Sequence, residues 1–407
     1  MEPAAPESNL SPEGPLALSV YIHFPWCLRK CPYCDFATRG IEAEAIPQRA
    51  YTDALLREIE MRAALLGEVR LVSIFFGGGT PSLWWPSELG RVLQALLARF
   101  GGAEEVEVSV ECNPSSLDEA KIEALRSVGV NRLSIGVQSL ESEGLVYLGR
   151  KHDAAQALSV LRTTARYFER FNADLMFGLP RQGPQAFLQQ VVRLRDQGVP
   201  HFSAYALTIE QGTRFGELQR LGKLELAPPE GVAQTFLELS ETLQAQGFSH
   251  YEVSNYALPG QECLHNQHYW RGGAYWGLGA GAVGCLPVGE RQARRWRNHN
   301  EGERYIEAMA TLALDAAPRD GIAAIEVESE ILEPLDRMRE GWMLGLRSAE
   351  GVDLAELAAR TGLDVWALRQ REIEKRVGFG DLVLEEGRLR VPARRWLHLD
   401  STLRDLF

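Results

Sequence analysis

The stretch Tyr21-Ile-His-Phe-Pro-Trp-Cys27-Leu-Arg-Lys-Cys31-Pro-Tyr-Cys34 places three cysteines within eight residues, directly after the β-rich run Leu18–Phe24. Thiolates hold iron in clusters, and a four-iron cluster normally takes four ligands. A protein that supplies three leaves one iron open to a small chelating ligand, such as the amino and carboxylate groups of an amino acid. A structural zinc site is the rival reading, with Cys112 or a histidine as fourth ligand, and buried structural thiols are the third. Chance burial seldom yields CxxxCxxC at a strand end, so the spacing favours the cluster.

Outward from this loop, short apolar runs alternate with helix-period segments. Strands are expected at Leu18–Phe24, Leu71–Phe76, Val106–Glu111, Arg132–Val137, Ala173–Phe177 and Phe202–Leu207. Read as near-continuous apolar strands separated by helices, they predict a parallel sheet covered by helices. Leu89, Val92, Leu93, Leu96, Leu97 and Phe100 fall on one helical face, and Ser116 with Glu119 suggests a capping box for a helix opening near Leu117. Six such units in a row imply a partial, TIM-like (β/α)₆ barrel, whose working residues gather at the C-terminal ends of the strands.

Several of those strand ends carry polar or glycine residues. Phe76-Gly77-Gly78-Gly79-Thr80-Pro81 follows the second strand, where glycines let backbone approach a ligand closely. Glu111 ends the third strand, with a carboxylate suited to ribose hydroxyls. Gln138 ends the fourth, Arg150 follows in Leu-Gly-Arg-Lys-His, and Asp174 lies on the fifth. Singly, each of these is more often a cap, a surface residue or a satisfied core polar group. Together with the triad they favour a ligand site. Cys112 and Cys285 read as small buried residues.

The chain is expected to divide into a disordered tail (1–16), the barrel (17–245), a Gly- and aromatic-rich extension (246–325) and a C-terminal region (326–407). That last region reads as three helices and then a hairpin around Glu386-Gly387, a winged-helix-like α+β order. From Glu333 onward it carries 14 acidic and 13 basic residues, which favours a packing lid or partner surface over DNA binding. The whole chain has 407 residues, 45% apolar and 24% charged, with a net charge of −12 that argues against a nucleic-acid partner. No apolar stretch approaches the roughly 20 residues of a membrane span, and Met1–Pro15 lacks a basic-then-apolar signal pattern. A cytoplasmic location is therefore expected. Six cysteines are too few for a disulfide scaffold in a chain this long.

The triad, with Tyr33 just before its last cysteine, resembles the radical S-adenosylmethionine (SAM) superfamily. The longer string from Tyr21 to Phe36 resembles its HemN/HemW branch, and the similarity runs from about Leu18 to Phe407. The resemblance implies a [4Fe–4S] cluster on Cys27, Cys31 and Cys34. It implies SAM binding by Tyr21, Tyr33, Gly78, Gly79, Thr80, Glu111, Gln138, Arg150 and Asp174, with the glycine run taking the methionyl amino group.

Two features separate the readings within this branch. Its coproporphyrinogen III dehydrogenases carry a further cysteine two residues after the triad, where this sequence has Phe36. Cys263-Leu-His265-Asn266-Gln-His-Tyr269-Trp270 resembles the HNxxYW string of the HemW-type heme chaperones. Imidazole is a standard axial ligand of heme iron, Tyr269 and Trp270 offer flat faces to a porphyrin, and Asn266 can bind a propionate or orient the histidine. His265 either ligates iron or shapes the fold, and an aromatic stretch that merely closes the open side of the barrel is the plainer reading of the motif. The resemblance thus implies a heme carrier that passes heme to acceptor proteins, respiratory ones among them, with peripheral membrane contact at most. It is compatible with a homodimer. Oxidative decarboxylation of coproporphyrinogen III is the alternative, and radical methyl transfer or cyclopropanation a more distant one. Any reductive cleavage of SAM would call for a flavodoxin-like electron donor.

Overall fold

The computed structural model describes residues 14–102, 105–313 and 316–407. The tail expected at 1–16 lies outside the described residues except for its last three. All six anticipated strands form: β1 (Leu16–Phe24), β2 (Val69–Gly78), β3 (Glu107–Cys112), β4 (Arg132–Gln138), β5 (Arg170–Phe177) and β6 (His201–Ala206). They are parallel neighbours in that order within a twelve-stranded sheet.

The strands are not the near-continuous apolar runs expected of a sheet buried on both faces. They alternate. Leu18, Val20, Ile22 and Phe24 of β1, Leu133, Ile135 and Val137 of β4, and Phe171, Ala173 and Leu175 of β5 belong to the apolar core. The residues between them, among them Tyr21, Ser134, Gln138 and Asp174, line an internal cavity instead. Successive side chains of a strand point to opposite faces, so one face packs under the helices and the other stays polar. A stable enzyme-type barrel fills its middle with branched apolar side chains. Here the middle is a polar-lined shaft.

Helices follow each strand and cover the outer face. In Pro86–Phe100, Leu89, Val92, Leu93 and Leu96 are fully buried, each contributing about 1.5–3 kcal/mol of burial, while Leu97 and Phe100 pack at the margin. The helix expected near Leu117 begins at Glu119. Its N-cap is Asp118, whose carboxylate accepts the Lys121 N–H at 2.8 Å, not Ser116. Ser116 is drawn away into a 3₁₀ turn, where its hydroxyl donates to the Asn113 carbonyl at 2.9 Å.

The sheet does not close into a ring. Beyond β6 lie the antiparallel strands Asn255–Ala257 and Ser249–Glu252. Beyond β1 lie Ala274–Leu278, parallel to it, and then Val283–Val288, Gln292–Asn298 and Glu326–Leu332, antiparallel to one another. The chain between Ala257 and Ala274 therefore has to cross from one side of the opening to the other, and the helix Leu264–Trp270 lies on that crossing. Cys285, expected to be buried, is half-exposed on Val283–Val288, a strand of which only Gly284 is fully covered.

Residues 326–332 were expected to open a helical region and instead form a strand. Glu326-Val-Glu-Ser-Glu-Ile-Leu alternates with period two, and Glu326, Glu328 and Glu330 meet Arg294, Arg297 and Arg295 of the neighbouring strand. Thereafter come the helices Pro334–Gly345, Leu354–Thr361 and Gln370–Gly378, and a hairpin of Val383–Glu385 and Arg388–Arg390. Val352–Asp353 completes a three-stranded sheet with it, as a winged-helix-like order requires. This unit sits against the barrel edge: Val253 N–H donates to the Arg347 carbonyl at 2.9 Å, and the His250 and Trp396 rings meet at 4.6 Å.

Candidate functional site

The cysteine loop is held at its neck. Trp26 and Cys27 pair with Arg39 and Gly40, and Trp26 is fully buried among Phe24 and Tyr51. The intervening residues project Cys27, Cys31 and Cys34 over the C-terminal end of the barrel, with all three thiols free. Thr80 donates to Cys27 Sγ at 3.4 Å and Arg150 to Cys31 Sγ at 3.5 Å. Burial pushes the Cys27 and Cys34 thiols up from their ordinary range, so a bound metal must supply the charge that deprotonates them. A four-iron cluster places each thiolate on its own iron. Three free cysteines on one pinned loop, two of them facing hydrogen-bond donors, fit the ligand set of a four-iron cluster.

The glycine run is constrained first by packing. A Cβ on Gly78, whose φ is +105°, would lie 2.5 Å from the His23 ring, and one on Gly79 would lie 2.5 Å from the Trp26 carbonyl oxygen. Its N–H groups are also spent. Gly78 donates to Glu111 at 3.1 Å, Gly79 to Phe24 at 2.7 Å and Thr80 to Trp26 at 2.9 Å. What this turn has left to offer a ligand is carbonyl oxygen, the acceptor that an ammonium group needs.

Down the shaft, Glu111 and Asp174 are buried close enough to feel each other's charge. Desolvation, with Asp174 second, pushes the Glu111 carboxyl up to about 8, and burial likewise raises Asp174. Asp174 accepts from Ser134 at 2.9 Å and from Asn172 at 2.6 Å. Gln138 has φ +63°, a left-handed conformation that costs a non-glycine residue about 1–3 kcal/mol, and the β4–β5 register slips there. Arg150 reaches across to the Gly136 carbonyl at 3.0 Å, which places its guanidinium between Gln138 and the cysteine loop.

At the far end, helix Leu264–Trp270 closes the open side. The Glu107 carboxylate accepts the N–H of Leu264 and of His265, each at 3.1 Å, and the thiol of Cys263 at 3.4 Å, while pairing with Arg170 at 2.8 Å. Burial drives the Cys263 thiol up to about 12, so it stands as a neutral donor. His265 packs against the Phe75 ring at 4.9 Å, and its Nδ1 lies 2.8 Å from Ser73 Oγ. Ser73 donates to Ser19, so its oxygen is left to accept from His265 Nδ1–H. That leaves Nε2 as a lone pair, and burial lowers the imidazole to about 4, which keeps the ring neutral.

The candidate ligand residues Cys27, Cys31, Cys34, Tyr21, Tyr33, Gly78, Gly79, Thr80, Glu111, Gln138, Arg150, Asp174, His265, Asn266, Tyr269 and Trp270 all line one cavity of about 800 Å³. Its volume is that of a site for a sizeable small molecule. The structure adds buried polar residues that the sequence reading passed over: Glu107, Arg132 and His201. Their signal was present, since each is a charged or ionisable residue at the first position of its strand.

The fold and the site together define a radical SAM protein. Residues 21–190 match the Radical SAM superfamily and residues 332–398 the HemN C-terminal domain. The chain is 35% identical to the heme chaperone HemW of Escherichia coli, over 85% of this chain and 86% of that protein. It is 34% identical to the heme chaperone HemW of Synechocystis, over 83% and 80%. A mouse relative, radical S-adenosyl methionine domain-containing protein 1, mitochondrial, is 38% identical over 99% of this chain and 89% of its own. Among solved structures, coproporphyrinogen III oxidase (HemN) of Escherichia coli superposes with a TM-score of 0.77 at 22% identity, covering 96% of this chain and 90% of that one, a likeness of fold. The chain belongs to the HemW family of radical SAM proteins.

Proposed function

We propose that this protein binds heme in its barrel shaft and hands it to acceptor proteins, with a [4Fe–4S] cluster on Cys27, Cys31 and Cys34 and SAM beside it. The observation that carries the reading is the shared cavity. The HNxxYW helix and the cysteine loop line the same space, so a porphyrin held by one lies in reach of a ligand held by the other. When bound and reduced, a cluster of this kind supplies an electron to SAM, and a flavodoxin-like protein is the fitting donor.

The roles of the chain's own residues follow from their placement. Glycine-turn carbonyls take the SAM amino group, Glu111 takes ribose hydroxyls, and Gln138, Arg150, Asp174, Tyr21 and Tyr33 wall the site. His265 offers Nε2 to heme iron, Tyr269 and Trp270 offer ring faces, and Asn266 an amide. Phe36, 55% exposed on the cavity wall, stands where the dehydrogenases of the wider branch carry a cysteine. That substitution favours carriage over coproporphyrinogen oxidation.

Among the described residues no helix is long and apolar enough to cross a membrane. Work in the cytoplasm, with peripheral contact to membrane-bound acceptors, fits the reading; the mouse relative's name points to the mitochondrion as the other compartment to test.

The test is anaerobic reconstitution followed by titration with heme, with and without SAM, and a coproporphyrinogen III assay on the same preparation. Stoichiometric heme binding without protoporphyrinogen formation supports the carrier. Turnover of coproporphyrinogen without stable heme binding overturns it in favour of the dehydrogenase.

A further inference from the structure

Arg132 opens β4 and is 2% exposed, yet it lines the cavity. A guanidinium taken out of water requires a charged partner, because an unpaired buried charge is among the costliest things a fold can hold. Among the described residues no carboxylate lies within ion-pair distance of it. Its hydrogen bond runs from Nη2 to His201 Nδ1 at 3.3 Å, and its buried Nε has no partner.

His201 cannot be that partner's substitute. An arginine only donates, so Nδ1 accepts and the proton sits on Nε2, 2.9 Å from the Tyr251 hydroxyl. The imidazole is therefore neutral, and burial together with Arg132 and Arg170 holds it so. The nearest acids are committed elsewhere. Glu107 serves Arg170, two helix N–H groups and a thiol, and Asp174 serves Ser134 and Asn172. Glu107 and Asp174 are near enough to feel the Arg132 charge, yet among the described residues neither reaches it as an ion pair, so the guanidinium keeps no anionic partner in direct contact.

We propose that the missing partner is a carboxylate of the bound ligand, and that Arg132 anchors a propionate of the porphyrin at the floor of the shaft. SAM also carries a carboxylate, but the strand itself separates the two. Arg132 is the first residue of β4 and Gln138 the last, roughly 20 Å apart at strand rise, and the cysteine loop lies at the Gln138 end. A carboxylate on the open iron cannot also reach Arg132. The inference rests on the heme reading given above and adds the group that orients the porphyrin beside His265.

The probe is a pair of ligands, hemin and its dimethyl ester, titrated into the cluster-loaded wild type, Arg132→Gln and Arg132→Lys, with SAM affinity measured on each. The wild type is expected to prefer hemin about 10- to 100-fold, the worth of a buried hydrogen bond to a charged group. Arg132→Gln should bring the two ligands within about two-fold while SAM affinity stays put, and Arg132→Lys should retain part of the preference. Equal binding of both ligands by the wild type overturns the assignment without any variant having to fold. So does an Arg132→Gln protein that keeps its preference, and so does a loss of SAM affinity in that variant, which would give the anion to SAM. A wild type that binds neither porphyrin fails the heme reading itself.

Discussion

The carboxylate of Glu107 accepts the backbone N–H of His265 at 3.1 Å, joining the start of β3 to a helix 158 residues further along the chain. The helix Leu264–Trp270 has no side-chain cap of its own. A strand residue does that work, and its charge also meets the positive end of the helix.

Removing that charge should loosen the closure. Glu107→Gln keeps the size of the side chain but leaves Arg170 without its ion pair and Arg132 without its nearest anion. A loss of about 3 kcal/mol is expected by denaturant unfolding, the lower end for breaking a buried pair because Arg170 is one-quarter exposed. An unchanged midpoint would show that the helix docks without it.

The triad should be separable from the fold. Cys27→Ala, Cys31→Ala and Cys34→Ala each remove a half-buried thiol from a loop pinned at its neck. Each should keep the wild-type circular dichroism and lose the bound iron, which in the wild type should approach about four atoms per chain after reconstitution. Full iron retention in any one of them would remove that cysteine from the ligand set.

Gln138 should show a trade between stability and binding. Gln138→Gly relieves the positive φ and should raise stability by about 1 kcal/mol, read from the thermal midpoint. The same change removes a cavity side chain and should weaken SAM binding in a direct titration. A variant both less stable and equally good at binding would mean that Gln138 is held there for packing.

Stability should peak near neutral pH. His23, His152, His250 and His265 are lowered by burial from about 6.5 to about 4, so the unfolded chain binds more protons there and stability rises with pH across that window. Glu252 and Glu111 are raised by burial to about 7 and about 8, so above their unfolded range the native state holds the extra protons and stability falls as pH climbs. Four histidines outweigh two acids below about 6.5, and only the acids act between there and about 8. Chemical denaturation at pH 5, 6.5 and 8 should give the highest midpoint at the middle value; a steady rise to pH 8 would mean that Glu111 is ionised in the native protein.

The sequence carried the order of elements almost entirely. Six strand runs and the spacing of the triad are local properties, set by period and by thiol chemistry, and they could be read without knowing what touches what. The C-terminal hairpin was legible for the same reason. Glu326–Leu332 was not, although it alternates, because its identity as a strand depends on the arginine-rich neighbour that pairs with its glutamates. Ser116 misled because it satisfied a pattern while Asp118, two residues on, held the better geometry.

On its own, then, the sequence determined the barrel units, the three-cysteine loop and the residues available for chemistry. Only the tertiary structure decided that the inward faces of the strands form a polar shaft, that the HNxxYW helix closes its open side, and that Arg132 is buried there with no described carboxylate in ion-pair contact. Contacts such as Glu107 with His265 join residues more than 150 positions apart, and no local period encodes which distant partner will neutralise a buried charge.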